Sequence, residues 1–251
     1  MAIPGKRAII EALEAGIPAS SLFISETVRS DRALQKIIDL CREKGIIPKQ
    51  LSSKDFKRRF DGIERADQGI VLDADPYKYA EMPEILRGAD ERYGSDGSAL
   101  IIVCDHITDS GNLGAIIRSA DSVGASGVII PNKRSAHVTS STYKTSAGAV
   151  SHMPVAMVAN IRSLLEDLQS KGFWTIACTE HADVLAWDAD MQGRIALVLG
   201  NEQKGISELA LKTCDDACRL PQMGEVSSLN VAQASTVMMY EWLRQNMQDI
   251  I

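Results

Sequence analysis

Three short stretches hold the side chains best suited to chemistry. In "GNLGAIIRSADS" Asn112 and Arg118 stand six residues apart in a segment otherwise made of apolar and small residues. Six residues is about 1.7 helical turns, so the two do not share a helix face. Either Asn112 caps a helix and Arg118 meets solvent, or both serve a site built on that turn. In "IALVLGNEQKGISELA" an apolar run ends at Gly200, Asn201 and Glu202. Glycine there lets a ligand approach the backbone closely, and Glu202 sets a carboxylate at a sheet edge. A strand-to-helix turn, with Ser207 as cap, is the plainer reading. In "RLPQMGEVSSLNVAQASTVMMYEWL" Pro221, Gly224, Ser227, Ser228 and Asn230 gather ahead of a helix that carries no charge until Glu241. Asn230 and Gln233 have the spacing of a capping box, and the uncharged helix is expected to be buried in a core or a subunit interface.

More familiar uses of such glycines fail on spacing. A dinucleotide turn needs G-x-G-x-x-G and an acidic residue about 20 positions on. Here Gly111 and Gly114 stand alone, and the next apolar run ends at Pro131 and Asn132. Neither a G-x-x-x-x-G-K-[ST] phosphate loop nor a G-x-S-x-G nucleophile elbow occurs. His106, His137, His152 and His181 lack H-E-x-x-H spacing, and Cys41, Cys104, Cys178, Cys214 and Cys218 form no C-x-x-C pair. Neither a metal site nor a disulfide framework is therefore expected.

The elements that must position these residues follow from the apolar pattern. From Ala99 onward, apolar runs ("ALIIVC", "GVIIP", "PVAMV", "FWTIAC", "IALVLG", "ACRLP") alternate with helical segments at 112–124, 143–150, 161–171, 207–214 and 229–245. This predicts an α/β fold with a parallel sheet covered on both faces. Ligands in such sheets sit beyond the carboxyl ends of the strands, which directs attention to the segments after Cys104, Cys178, Gly200 and Leu220. Residues 1–75 alternate helical and strand-like patterns of their own. Residues 76–98 lose periodicity and gather Pro, Gly, Asp and Ser, so they read as an inter-domain connection, with a second domain over 99–251.

Composition narrows the class. A chain of 251 residues with 45% hydrophobic and 24% charged residues can bury a large core. No apolar run nears the ~20 residues of a bilayer span, and "MAIPGKRAII" lacks a secretory layout, so a cytoplasmic location is expected. The net charge of −6 is uneven: residues 1–75 carry 13 Lys and Arg against 12 Asp and Glu, and residues 76–251 carry 14 against 21. The cluster "KDFKRRF" (Lys54, Lys57, Arg58, Arg59) could meet phosphates, although a solvated helix face is the plainer reading.

Taken in order, "SGNLGAIIRSADSVGASGVIIP", "ALVLGNEQKGIS" and "LPQMGEVSSLNVAQA" closely resemble the three motifs of the SpoU, or TrmH-like, RNA 2′-O-ribose methyltransferases of the SPOUT superfamily. The first 75 residues, including "GKRAIIEAL" and "DQGIVLDA", resemble the small ribosomal-protein-like α/β RNA-binding domain that many members carry. The tract "PNKRSAHVTSSTYKTSAGAVSHMPV" is similar to the branch that modifies a guanosine of large-subunit ribosomal RNA.

The resemblance implies a parallel-sheet domain whose C-terminal part forms a deep trefoil knot, an exception to the rule that chains do not knot. It also implies S-adenosylmethionine as cofactor, held around Thr179, Gly200, Leu220 and Leu229, and a homodimer packed through the helices of the knotted domain. Ribosomal RNA is the implied partner, with transfer RNA as the nearest alternative and a non-catalytic ribosome-associated binding module as the alternative of a different class. By the family pattern Arg118 activates the ribose hydroxyl, Asn112 holds loop and substrate, Ser228 and Asn230 complete the site, and Glu202 holds the loops. Because an arginine stays protonated near neutral pH, its expected part is to orient the hydroxyl and a neighbouring phosphate. Two departures from the pattern stand out: Ser110 replaces the usual proline of the first motif, and Asp67 replaces a usual histidine.

Overall fold

The computed structural model describes residues 1–14, 16–63, 66–94, 97–225 and 229–250. Strands β1 (Ala2–Pro4), β2 (Ala19–Ser25), β3 (Ile47–Leu51) and β4 (Ile70–Ala74) form a four-stranded sheet in the order β1-β4-β2-β3. Only β2 and β3 run parallel. Helices α1 (Lys6–Glu14), α2 (Arg32–Glu43) and α3 (Ser53–Arg59) accompany it. The sequence explains α2 well: the Asp31 carboxylate accepts the Leu34 N–H at 2.9 Å, and Leu34, Ile37 and Cys41 fall on one buried face. In α3 the plainer reading of the basic cluster holds for Lys54, Lys57 and Arg58, which are exposed. Arg59 is exposed too, and its guanidinium also lies over the Phe23 ring, 4.1 Å from its centroid.

The stretch 76–98, read above as a connection without structure, is largely a helix. α4 (Met82–Tyr93) begins at Pro83 and buries Ile85 and Ala89 completely. Pro83 and Gly88 read as breakers, yet proline in the first turn starts helices rather than ending them. Met82 and Leu86 pack beside them half-buried, so the apolar positions Met82, Ile85, Leu86 and Ala89 do follow the i, i+3, i+4, i+7 spacing of a helix. The helix packs on the second sheet, where the missing side chain of Gly127 makes room: a Cβ there would stand 2.7 Å from Ile85 Cδ1.

That second sheet has seven parallel strands: β5 (Ala99–Asp105), β6 (Gly127–Pro131), β7 (Val155–Val158), β8 (Trp174–Cys178), β9 (Val184–Leu185), β10 (Arg194–Gly200) and β11 (Asp216–Arg219). Their order is β7-β6-β5-β10-β8-β11-β9. Side chains alternate between two cores. Leu100, Ile102 and Cys104 face α5 (Ser110–Ser122) and α9 (Val231–Ile250), while Ile101 and Val103 share a core with α4 and α7 (Ile161–Ser170). Where a helix was expected over 143–150, α6 (Ser140–Thr145) stops early, because Ala147 and Gly148 take positive φ. α8 (Glu208–Thr213) completes the set. After β5 the chain winds toward β7; it then crosses to β8 and returns to insert β10 beside β5. The connections therefore diverge from the carboxyl ends of β5 and β10, which opens a crevice there.

Ile85→Ala is expected to lower unfolding stability by about 2–5 kcal/mol, the usual cost of emptying a fully buried isoleucine site. Urea denaturation measures it, and a loss below ~0.5 kcal/mol would mean that α4 is a loosely held connection after all.

Candidate active site

The crevice is built from loops that follow the strands. β5 ends in Asp105, whose buried carboxylate accepts the Ser207 N–H at 2.7 Å and lies 2.5 Å from His106 Nδ1. His106 turns the chain with a φ of 61°, and its carbonyl accepts Asn201 Nδ2 at 2.8 Å. Asp109, in extended conformation, then caps α5 by accepting the Asn112 N–H at 2.7 Å. The cap is thus Asp109 and not Asn112, and the Asn112 side chain is left for other work.

That side chain joins the other two motifs. Asn112 Nδ2 donates to Glu202 Oε1 at 2.9 Å, and Asn112 Oδ1 accepts from Asn230 Nδ2 at 3.0 Å. Asn230 Oδ1 in turn accepts the Ala232 N–H at 2.9 Å. The orientation of both amides follows from the ends of this chain. A carboxylate can only accept and a backbone N–H can only donate, so each amide has one consistent setting. Asn230 thus caps α9, but through the Ala232 N–H and not, among the described residues, through the reciprocal box expected with Gln233. Glu202 reaches further: its Oε2 lies 3.3 Å from Asn201 Nδ2 and 3.4 Å from Thr108 Oγ1. One carboxylate thereby ties the loop after β5 to the loop after β10.

Gly200 is required by a close approach. A Cβ at that position would stand 2.4 Å from Gly205 C and Ile206 N. Residues 201–205 form a tight turn in which Asn201 and Gly205 exchange backbone hydrogen bonds of 2.9 Å and Asn201 Oδ1 accepts the N–H groups of Gln203 and Lys204.

Beside this turn lies a cavity of about 420 Å³ bounded by the ends of β8, β10 and β11 and the start of α9. Thr179, Gly200, Leu220 and Leu229 all line it, with Glu202 and Asn230 at the same wall. Sequence reasoning missed Cys178 and Met238, which also line it. Cys178 stands opposite Cys218 in the β8–β11 register. A hydrogen bond with Cys218, and burial second, hold its thiol well above the usual thiol pKa, so Cys178 is wall and not nucleophile. Arg118 does not line this cavity. It is exposed and borders a separate groove with Glu14, Asp121, Gly148 and His152. Ser228 lies outside the described residues. Among the described residues no group of three or more His, Cys, Asp or Glu could hold a metal ion, and no helix is long and apolar enough to cross a membrane.

The sequence profile of the SpoU rRNA methylase family matches residues 99–240, the span that carries the whole Asn112–Glu202–Asn230 chain. The chain belongs to the SpoU rRNA methylase family. A second profile, described as RNA 2′-O ribose methyltransferase substrate binding, matches residues 2–80. YacO of Bacillus subtilis, assigned to the TrmH family of tRNA/rRNA methyltransferases, is 34% identical over 243 residues, covering 96% of this SpoU chain and 94% of YacO. The fold is shared with the SpoU methyltransferase AviRb from Streptomyces viridochromogenes, solved in complex with the cofactor AdoMet, at a TM-score of 0.70 and 24% identity, covering 98% of this chain and 90% of AviRb. A TrmH/SpoU tRNA-modifying enzyme of A. aeolicus matches at a TM-score of 0.56 and 25% identity, over 65% of this chain and 83% of its own.

Gly200→Ala is expected to force the 201–205 turn of this SpoU family member apart and to cost about 1–3 kcal/mol, as overpacking does. Thermal unfolding and the amide resonances of residues 201–206 would register it; unchanged resonances would show that the turn has room.

Proposed function

We propose that this chain methylates a ribose 2′-hydroxyl of RNA with S-adenosylmethionine as donor, and that the target is a guanosine of large-subunit ribosomal RNA. The observation that carries the reading is that Asn112 bonds both Glu202 and Asn230, which line a cavity of nucleoside size. The cavity suits the donor. Gly200 offers backbone at a point where no side chain fits, Thr179 contributes a hydroxyl, and Leu220, Leu229 and Met238 supply apolar walls. S-adenosylmethionine held there would supply a sulfonium methyl group for the ribose oxygen.

The residues of this chain have the complementary task of holding an unreactive hydroxyl in line. Asn112 and Asn230 are fixed by their mutual bond and by Glu202, so their remaining hydrogen-bonding capacity is aimed rather than free. Arg118 remains charged and orients the hydroxyl and an adjacent phosphate through its planar fork. Its exposure on α5, away from its own cavity, supports an isologous homodimer in which it serves the second copy's site. α5 and α9 are joined by the Ser119–Thr236 hydroxyl bond of 2.7 Å, and α9 leaves Val237 and Tyr240 39% and 49% exposed, the apolar face such a dimer would cover. A trefoil-knotted threading of the chain's last third is supported by the three loops, after β8, β10 and β11, that converge on one cavity, and Ser228 is read as completing the site.

Ribosomal RNA is favoured over transfer RNA by the substrate-binding region at residues 2–80, since the likeness to the A. aeolicus tRNA enzyme covers 65% of the chain. Isothermal titration with S-adenosylmethionine is expected to give saturable heat; none at high protein concentration would favour a binding module without catalysis. Mass mapping of ribose methylation in ribosomal and transfer RNA from a deletion strain is expected to lose one ribosomal mark. A lost transfer-RNA mark would support the second reading.

Arg118→Lys is expected to lower the single-turnover rate at least tenfold, because an ammonium cannot hold hydroxyl and phosphate at once. Retention of nearly the full rate would remove the need for the planar fork.

A further inference from the structure

Among the described residues His106, Arg134 and Ala147 are the non-glycine positions with left-handed φ, at 61°, 56° and 50°. Such backbone is costly for a residue with a Cβ and collects where a side chain must be presented in a set direction. His106 and Arg134 stand close to one seam. The loop after β6 is stitched to the loop after β5 through one carbonyl: Ile107 O accepts the Ala136 N–H at 2.7 Å and the Ser135 hydroxyl at 3.1 Å. Ile107 adjoins Thr108, which bonds Glu202. Arg134 is therefore held at the lip of the candidate site, although it lies outside the three motifs.

Charge makes the position unusual. Residues 76–251 are acidic, with 14 Lys and Arg against 21 Asp and Glu. Several of their exposed cations are neutralised in place, as in Arg162–Glu166 at 2.8 Å, Lys212–Glu208 at 2.6 Å and Arg244–Glu241 at 2.7 Å, while Lys78, Arg118 and Lys204 are exposed without an ion pair among the described residues. Lys133 and Arg134 are adjacent, exposed and without an ion pair among the described residues. In an acidic surface that disfavours polyanions, Lys133 and Arg134 are two uncompensated cations adjacent in sequence, and Lys204 in the cavity lining is a third.

The loop also lies on the way from the first sheet to the site. The Val138 N–H donates to Tyr79 Oη at 3.0 Å, Tyr79 meets the His137 ring edge-on, and Tyr77 meets Tyr143. These tyrosines belong to the segment leading out of the N-terminal sheet. The 132–138 loop therefore touches both the segment leaving the N-terminal sheet and the loop that reaches Glu202.

We propose that Lys133 and Arg134 bind the phosphates of the RNA strand next to the target nucleotide and set its position at the cavity. The proposal rests on the RNA methyltransferase reading above and adds two positioning residues to it. The left-handed turn at Arg134 aims the guanidinium outward, and the stitch to Ile107 keeps the turn in register with Glu202 and Asn112.

The test uses the double variant Lys133→Ala/Arg134→Gly, in which glycine accepts the positive φ without strain while both charges are lost. The probes are a short fluorescent single-stranded oligoribonucleotide and deproteinised large-subunit ribosomal RNA. Loss of two phosphate contacts is expected to make the slope of log affinity against log salt shallower by about 1.4, at ~0.7 per phosphate on a single strand. KM for the ribosomal RNA is expected to rise about tenfold while kcat and S-adenosylmethionine affinity stay within about twofold, the pattern of lost uniform binding. The thermal midpoint is expected to be equal or higher. An unchanged salt slope overturns the proposal, as does a loss of S-adenosylmethionine affinity as large as the loss of RNA affinity, which would mean that the turn matters only for shape. If wild-type protein transfers no methyl group yet binds the oligoribonucleotide with a salt slope that the variant loses, the phosphate contact stands and the methyltransferase reading fails. If wild-type protein binds no RNA, both fail.

Discussion

An asparagine amide shared between a carboxylate and a second asparagine is the constraint on which the site depends. Glu202 fixes Asn112 by accepting its N–H, Asn112 fixes Asn230 by accepting in turn, and Asn230 ends the chain on a backbone N–H. Hydrogen bonds to a charged acceptor are stronger than neutral ones, and a linear chain of donors polarises each link. Three loops separated by 90 and 118 positions are thereby held to one geometry. Removing the carboxylate would leave the chain anchored at one end alone, the Ala232 N–H.

The sheet makes this geometry possible by inserting β10 between β5 and β8. Two loops distant in sequence then emerge side by side from one edge, and Gly200 lets the second fold tightly against its own return at Gly205. The helices finish the arrangement. α9 starts at the site and is anchored at its far end by Asn246, which uses both atoms of its amide on Gly193, Met191 and Trp242. Rigid support of this kind is what allows a few polar groups to be aimed.

Much of this was legible in residue types, and the failures have identifiable causes. Asn112, Glu202 and Asn230 stood out because polar residues at the ends of apolar runs need partners. The partner of Asn112 did not, since Asp109 and Asn112 are both good caps and only the extended backbone at Asp109 decides between them. α4 escaped notice although Met82, Ile85, Leu86 and Ala89 keep helical spacing, because the Pro, Gly and Asp residues around that stripe read as breakers. The two-residue β9 was below the length at which alternation is visible. Cys178 and Met238 became cavity walls through strand order, which local pattern does not encode. The outward setting of Arg118 likewise depends on which face α5 gives to α9, a matter of packing and not of spacing.

The insertion of β10 also governs how the chain is made. Synthesis runs from the N-terminus, so β5, β6 and β7 can pair with one another long before residues 194–200 exist. During that interval β5, apolar from Ala99 to Cys104, presents an open edge that β10 will later occupy in full register from Arg194↔Ala99 to Gly200↔Asp105. An exposed apolar edge strand invites pairing with other chains. The feature that brings the two loops together in the finished molecule is therefore also its point of greatest exposure to aggregation on the ribosome, and the sheet closes only after about four fifths of the chain has emerged.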